Sequence, residues 1–94
     1  MKSLNSKVPS IDLHGETRDI ALVLIKEFIV DNYKLKKKEI HIIHGIGSGI
    51  LKNTVHNELK INPYVKNYKV DFFNLGTTIV ELKTDWQIGF FMLT

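Results

Sequence analysis

Three ionisable side chains stand where two predicted strands end. Asp12 and His14 lie two positions apart in the run Ile11-Asp12-Leu13-His14, and His44 closes a second run that begins at Glu39. Residues two apart on a strand share one face. Imidazole and carboxylate side chains are common general acids and bases in enzymes. The pattern therefore predicts an acid–base site made of Asp12, His14 and His44.

A glycine-rich segment, Gly45-Ile46-Gly47-Ser48-Gly49, follows the second strand and precedes a predicted helix with Lys52 in its first turn. Backbone N–H groups at a helix N-terminus form a natural anion site, and the lysine adds a full positive charge. The segment lacks the further glycine and acidic residue of a dinucleotide fingerprint and the Gly-Lys-Ser/Thr of a nucleotide phosphate loop. The residues predicted to hold a phosphate are Gly45, Gly47, Ser48, Gly49 and Lys52.

The elements that position these residues alternate along the chain. Hydrophobic periodicity predicts strands at 11–14, 39–44, 66–73 and 77–82, and helices at 17–33 and 50–60, with Thr17 as the first helix cap. A strand, helix and strand in so few residues indicate a right-handed parallel crossover, which brings the first two strand ends to one edge. We expect a hairpin around Asn74-Leu75-Gly76. The predicted fold is a two-layer α/β sandwich, a four-stranded mixed sheet with both helices on one face.

Composition bounds the function classes. The chain has 94 residues, 44% hydrophobic and 24% charged, with a net charge of +3, which fits one small domain and is compatible with nucleic acid. Cysteine is absent, so disulfides and thiolate chemistry are excluded and a reducing, cytoplasmic setting is expected. No apolar window approaches the roughly 20 residues of a membrane span, and we expect no membrane partner.

The motifs together resemble the small MutS-related (Smr) domain, over about residues 10–83. The matching segments are Ile11-Asp12-Leu13-His14-Gly15, Ala21, Ile42–Lys52, Val55 and Thr78–Leu82. The family includes the C-terminal domain of bacterial MutS2 and stand-alone forms, and the resemblance implies DNA or RNA binding with nicking endonuclease activity in several members. Its Asp-x-His and His-Gly-x-Gly signatures match Asp12, His14, His44, Gly45 and Gly47.

The predicted function is nucleic-acid binding with phosphodiester hydrolysis. One imidazole would activate water, and the other, with Asp12 fixing its tautomer, would protonate the leaving oxygen. We expect His14 and His44 to project into solvent, and His41 and His56 to be structural or surface residues. Asp12 has a second interpretation, in which it binds the N–H groups of the glycine segment.

The same three side chains raise the question of a metal cofactor. Asp12, His14 and His44 could bind a divalent metal. Mg²⁺ prefers oxygen ligands, however, and a single carboxylate supplies few of them, so no cofactor is assigned. A non-catalytic nucleic-acid-binding module and a protein-interaction domain are the alternatives.

The chain divides into an extension (1–9), the domain (10–83) and an apolar tail (84–94). The tail segment Trp86–Leu93 has three interpretations: it covers the bare sheet face, forms a homodimer surface or is disordered.

Overall fold

A computed structural model describes residues 8–84 of the chain. The predicted tail segment Trp86–Leu93 lies outside the described residues, as do residues 1–7 of the extension. The elements are β1 (Ser10–Asp12), α1 (Arg18–Lys34), β2 (Glu39–Ile43), α2 (Ile50–Ile61), β3 (Val65–Asp71) and β4 (Asn74–Leu82). The predicted order of strands and helices is confirmed.

The four strands form one mixed sheet in the order β1-β2-β4-β3. β1 is parallel to β2, with Asp12 opposite Ile43, and β2 is antiparallel to β4, with Ile43 opposite Thr77. β3 and β4 form an antiparallel hairpin. This register brings the carboxyl ends of β1 and β2 and the amino end of β4 to the same edge of the sheet, which we call the site edge.

Both helices pack against each other and share one hydrophobic core with the sheet. α1 begins at the predicted cap, because the Thr17 hydroxyl accepts the N–H of Ile20 at 3.3 Å. Each fully buried aliphatic side chain contributes roughly 1.5–3 kcal/mol, so this core supplies most of the stabilisation. Neither helix within residues 8–84 is long and apolar enough to cross a membrane. The buried core residues are Leu13, Ala21, Ile25, Ile29, Ile40, Ile42, Val55, Leu59, Val65, Val80 and Leu82.

The hairpin turn lies earlier than the sequence predicted. Phe72 and Phe73 form the turn, and the expected loop Asn74-Leu75-Gly76 belongs to β4. The ladder extends because the Gly76 carbonyl accepts the backbone N–H groups of His44 at 2.8 Å and Gly45 at 3.0 Å. A Cβ at Gly76 would lie 3.3 Å from the Cα of Gly45, so glycine allows this close approach.

Candidate active site

A cleft of about 560 Å³ opens at the site edge. It is bounded by the segment after β1, the glycine segment after β2 and the first turns of both helices. The structure thus brings His14 and His44 together with every predicted phosphate-binding residue. Asp12 is held beside the cleft through His14. The lining residues are His14, Gly15, Glu16, Thr17, Arg18, His44, Gly45, Ile46, Gly47, Ser48, Gly49, Ile50, Leu51 and Lys52.

Two helix N-termini meet at the cleft. α1 begins at Arg18 and α2 at Ile50, and both positions are in the lining. The α2 cap is Gly49, at φ +85°, and no described side chain caps it; the contact from the Ile50 N–H to the Ser48 hydroxyl is long, at 3.4 Å. The first-turn N–H groups of a helix have no intrahelical acceptor and carry the positive end of the dipole. The cleft therefore attracts an anion.

Asp12, predicted to fix the tautomer of one of the two imidazoles, is paired with His14. The Asp12 Oδ1 lies 2.8 Å from the His14 Nδ1 and also accepts the His14 backbone N–H at 3.1 Å. The hydrogen bond to Asp12 raises the pKa of His14, and the same bond lowers the pKa of Asp12. Because a carboxylate accepts, Nδ1 carries the proton, and the neutral ring presents Nε2 as its base. Among the described residues, the Asp12 carboxylate hydrogen-bonds to His14 and not to the glycine segment.

His14 stands directly over the start of the glycine segment. Its side chain is 72% exposed. A Cβ built on Gly45, which has φ +80°, would lie 3.5 Å from the His14 Cβ. The ring is therefore solvent-accessible and next to the predicted phosphate site, as expected for an acid–base group.

His44 differs from the expectation that it projects into solvent, because the residue is only 3% exposed. Its Nδ1 lies 2.8 Å from the Gly45 carbonyl oxygen and its Nε2 2.8 Å from the Thr78 hydroxyl. Since a carbonyl only accepts, Nδ1 donates, and in the neutral ring Nε2 accepts the Thr78 proton. Both ring nitrogens are thus used inside the protein. This arrangement orients the backbone of the glycine segment.

His56 shares the same hydroxyl. Its Nε2 lies 2.8 Å from the Thr78 Oγ1, and its ring contacts His44 edge to face at 6.0 Å between centroids. Because the Thr78 proton goes to neutral His44, the His56 Nε2–H donates to Thr78. Burial lowers the pKa of His56, and so do His44, whenever its ring is protonated, and the cations Lys52 and Lys60. His56 therefore contacts the site through Thr78 and His44. This agrees with the expectation of a structural or surface residue.

The sequence reasoning missed Thr78 and the first turn of α1. Thr78 is fully buried, and the signal for it was a hydroxyl residue within an apolar strand, where a buried polar group needs partners. Arg18 lines the cleft, and its signal was that it is the single arginine of the chain. A guanidinium forms bidentate hydrogen bonds with phosphate. Glu16 contributes a carboxylate to the same rim.

A run of lysines, Lys36–Lys38, lies in the connection between α1 and β2. Lys36, Lys37 and Lys38 precede β2, at the end of that strand remote from the site edge. The lysine run is therefore separated from the predicted phosphate site by the length of β2. No group of three or more His, Cys, Asp and Glu side chains within residues 8–84 is arranged to hold a metal ion.

Comparison with known proteins identifies relatives of the whole domain. The family model described as the Smr domain matches residues 11–83. The MutS2 endonuclease of Clostridium kluyveri is 39% identical over 84 residues, which are 86% of this chain and 11% of that protein. The MutS2 endonuclease of Lachnoclostridium phytofermentans is 41% identical over 78 residues, 80% of this chain and 10% of that protein. The chain thus spans about a tenth of the length of these relatives.

Two solved structures share the fold. The Smr domain of Thermus thermophilus MutS2 superimposes with a TM-score of 0.78 at 24% identity, covering 81% of this chain and 99% of that one. YdaL, a stand-alone small MutS-related protein from Escherichia coli, has a TM-score of 0.75 at 20% identity, covering 79% of this chain and 63% of that one. The likeness confirms the predicted fold of two helices on a four-stranded mixed sheet.

Proposed function

This chain belongs to the Smr domain family, and from that premise we propose that it binds nucleic acid and hydrolyses phosphodiester bonds as a nicking endonuclease. A fold alone does not assign an activity, so the proposal depends on the site. The observation that carries it is the exposed Asp12–His14 pair at the rim of a cleft formed by two helix N-termini. A proton acceptor next to a cleft that favours an anion supports this proposal.

Phosphate binding is assigned to the backbone and to two cations. The N–H groups of the glycine segment and of the first α2 turn would donate hydrogen bonds to a phosphate, with Lys52 and Arg18 neutralising its charge. The negative charge of Glu16 reduces the attraction for phosphate at one side of the cleft. Fixed donors aimed at developing negative charge usually make the largest contribution to such reactions.

The proton transfers are assigned to His14. Its Nε2 takes a proton from water as the water oxygen bonds to phosphorus, and Asp12 stabilises the resulting imidazolium. The bond between phosphorus and the leaving oxygen then breaks, and the leaving oxygen takes the proton back from His14 or from solvent. His44 is a positioning residue in this scheme, because its two ring nitrogens already bind Gly45 and Thr78.

A second candidate function is nucleic-acid binding without cleavage. The burial of His44 favours it, because only one of the two predicted imidazoles is accessible at the cleft. In this scheme the glycine segment, Arg18 and Lys52 grip the backbone phosphate, and the Asp12–His14 pair only adds a charge to the site.

The deciding experiment measures cleavage and binding with the same protein. Supercoiled plasmid and labelled single-stranded DNA and RNA are incubated with the wild-type protein and with His14→Ala, each with Mg²⁺ and with EDTA. Cleavage by the wild type that His14→Ala abolishes, with binding retained, supports the endonuclease. Binding without cleavage under every condition leaves the binding module, and no binding of any substrate contradicts both.

A further inference from the structure

Two phenylalanines at the β3–β4 turn are almost fully exposed. Phe72 is 86% and Phe73 93% exposed, and their rings contact each other edge to face, with centroids 5.6 Å apart and planes at 86°. We call this pair the aromatic tip. Large apolar side chains that are grouped and exposed usually mark a binding surface. Packing of the described domain gives no reason for aromatic residues at these two positions.

Turn geometry does not explain them either. The Asp71 carboxylate accepts the Phe73 N–H at 2.9 Å and fixes the turn. Two-residue turns favour glycine, asparagine and aspartate. Neither phenylalanine has a positive φ, and a bulge between Val70 and Asp71 accommodates the strands instead. The backbone would accept smaller polar residues here, so the aromatic side chains call for another explanation.

The aromatic tip lies at the site edge. β4 continues from the tip to Gly76, whose carbonyl binds the N–H groups of His44 and Gly45. Gly76 is three residues along the chain from Phe73, which is about 10 Å at the rise of a β-strand. Three nucleotides span a similar length at the rise of a duplex strand. A nucleic acid with one phosphate at the glycine segment would therefore reach the tip within a few nucleotides.

Other exposed apolar residues lie next to the aromatic tip on β4 and in the cleft. Leu75 is 60% exposed on β4, and Ile46 and Ile50 are 72% and 56% exposed at the cleft itself. A cationic cleft beside a run of apolar and aromatic groups matches the two parts of a nucleotide, its phosphate and its base. The combination of a backbone-tracking charge with aromatic platforms is typical of single-strand binding.

We infer that the aromatic tip stacks against unpaired bases of the strand whose backbone occupies the cleft, which makes a single-stranded segment of DNA or RNA the substrate class. This inference rests on the proposed function. Stacking needs only the π face of a base and so tolerates any sequence. The two rings stand at nearly right angles, so two bases stacked on them would also lie at nearly right angles to each other.

The test separates bases from backbone. Labelled single-stranded DNA is compared with an oligonucleotide of equal length and charge that has abasic sites in its central positions, and an RNA arm tests the sugar. The proteins are the wild type, Phe72→Ala/Phe73→Ala and Leu35→Ala, whose side chain is 66% exposed at the far end of α1. A Phe72→Trp/Phe73→Trp variant tests rescue by other aromatic rings.

We expect a loss of affinity that is seen only when the aromatic tip is removed and the oligonucleotide carries bases. The double alanine variant binds normal DNA about 10-fold more weakly than the wild type, in the range measured for single base–aromatic contacts. It binds the abasic DNA as the wild type does, the tryptophan variant retains affinity, and Leu35→Ala changes nothing. Thermal unfolding of the double alanine variant stays unchanged because neither ring is buried.

Three outcomes would overturn the inference, and they differ in what else they affect. Equal affinity of the double alanine variant and the wild type, with Lys52→Ala still weakened, removes the stacking role and keeps the proposed function. A wild-type dimer that becomes a monomer in the double alanine variant identifies the tip as an interface between copies. No binding of any oligonucleotide by the wild type overturns the proposed function as well.

Discussion

His14 and His41 each hydrogen-bond to the carboxylate of the residue two positions earlier, but through different ring nitrogens. The His14 Nδ1 lies 2.8 Å from the Asp12 Oδ1, and the His41 Nε2 lies 2.8 Å from the Glu39 Oε2. His14 lines the cleft at the site edge, whereas His41 lies in β2 on the sheet face opposite the buried Ile40 and Ile42. The chain thus contains a matched control for its own candidate acid–base pair.

We expect His14→Ala to lower cleavage by about 10²–10⁴-fold, the range for losing one general acid or base. His41→Ala should retain the wild-type rate, because its imidazole is remote from the cleft. The measurement is single-turnover cleavage of the best substrate, with circular dichroism as the folding control. Equal losses in the two variants would show that a histidine–carboxylate pair matters for folding and not for chemistry.

The titration of His14 should depend on Asp12. Because the Asp12 hydrogen bond raises the pKa of His14, the ring should titrate above the ordinary histidine value in the wild type. Asp12→Asn should shift that pKa downward and move the acidic limb of the rate profile to lower pH, since the base form then persists further into acid. Histidine C–H resonances followed by NMR against pH measure the shift. An unchanged His14 titration in Asp12→Asn would contradict the pairing.

Lys52→Ala and Arg18→Ala should each weaken nucleic-acid binding for every sequence tested. For duplex DNA with about 3–5 phosphate contacts, the slope of log affinity against log salt is roughly −3 to −5. Each lost contact makes this slope less steep by about 1. Lys34→Ala is the charge-matched control, because Lys34 lies in the last turn of α1, away from the cleft. A salt slope that falls only in the Lys34 variant would place the contact surface at the other edge.

Thr78→Val should destabilise the domain by about 1–3 kcal/mol, because it leaves buried imidazole nitrogens without a partner. Thr78→Ser should restore most of the loss by keeping the hydroxyl that His44 and His56 share. Urea unfolding of the three proteins measures the differences. If valine and serine variants are equally stable, the hydroxyl does not hold the two rings together.

The lowered pKa of His56 predicts that the folded domain loses stability as the pH falls. Burial and the nearby cations keep the folded pKa below the unfolded value, so the unfolded state binds more protons as pH falls below about 6.5. Stability should therefore decrease with falling pH through that window, and His56→Gln should flatten the dependence. Thermal unfolding between pH 7.5 and 5 measures it, and parallel curves for the two proteins would contradict the assignment.

The sequence by itself determined the elements and the local part of the site. Apolar periodicity placed both helices and the strands, and Thr17 is the helix cap that its residue type predicted. Asp12 and His14 pair because residues two apart near a strand end are neighbours whatever the rest of the chain does. The glycine segment opens α2 for a similarly local reason, since Gly45 and Gly49 adopt positive φ.

Only the tertiary structure decided which histidine is accessible. His44 is buried because Thr78, 34 positions away, and the Gly76 carbonyl bind it across the sheet, and His56 joins from a helix 22 positions before Thr78. Such contacts depend on strand register and helix packing, which the alternation of residue types along one strand does not specify. The same long-range packing brings Arg18 to the cleft and places the Phe72–Phe73 turn at the site edge of the sheet.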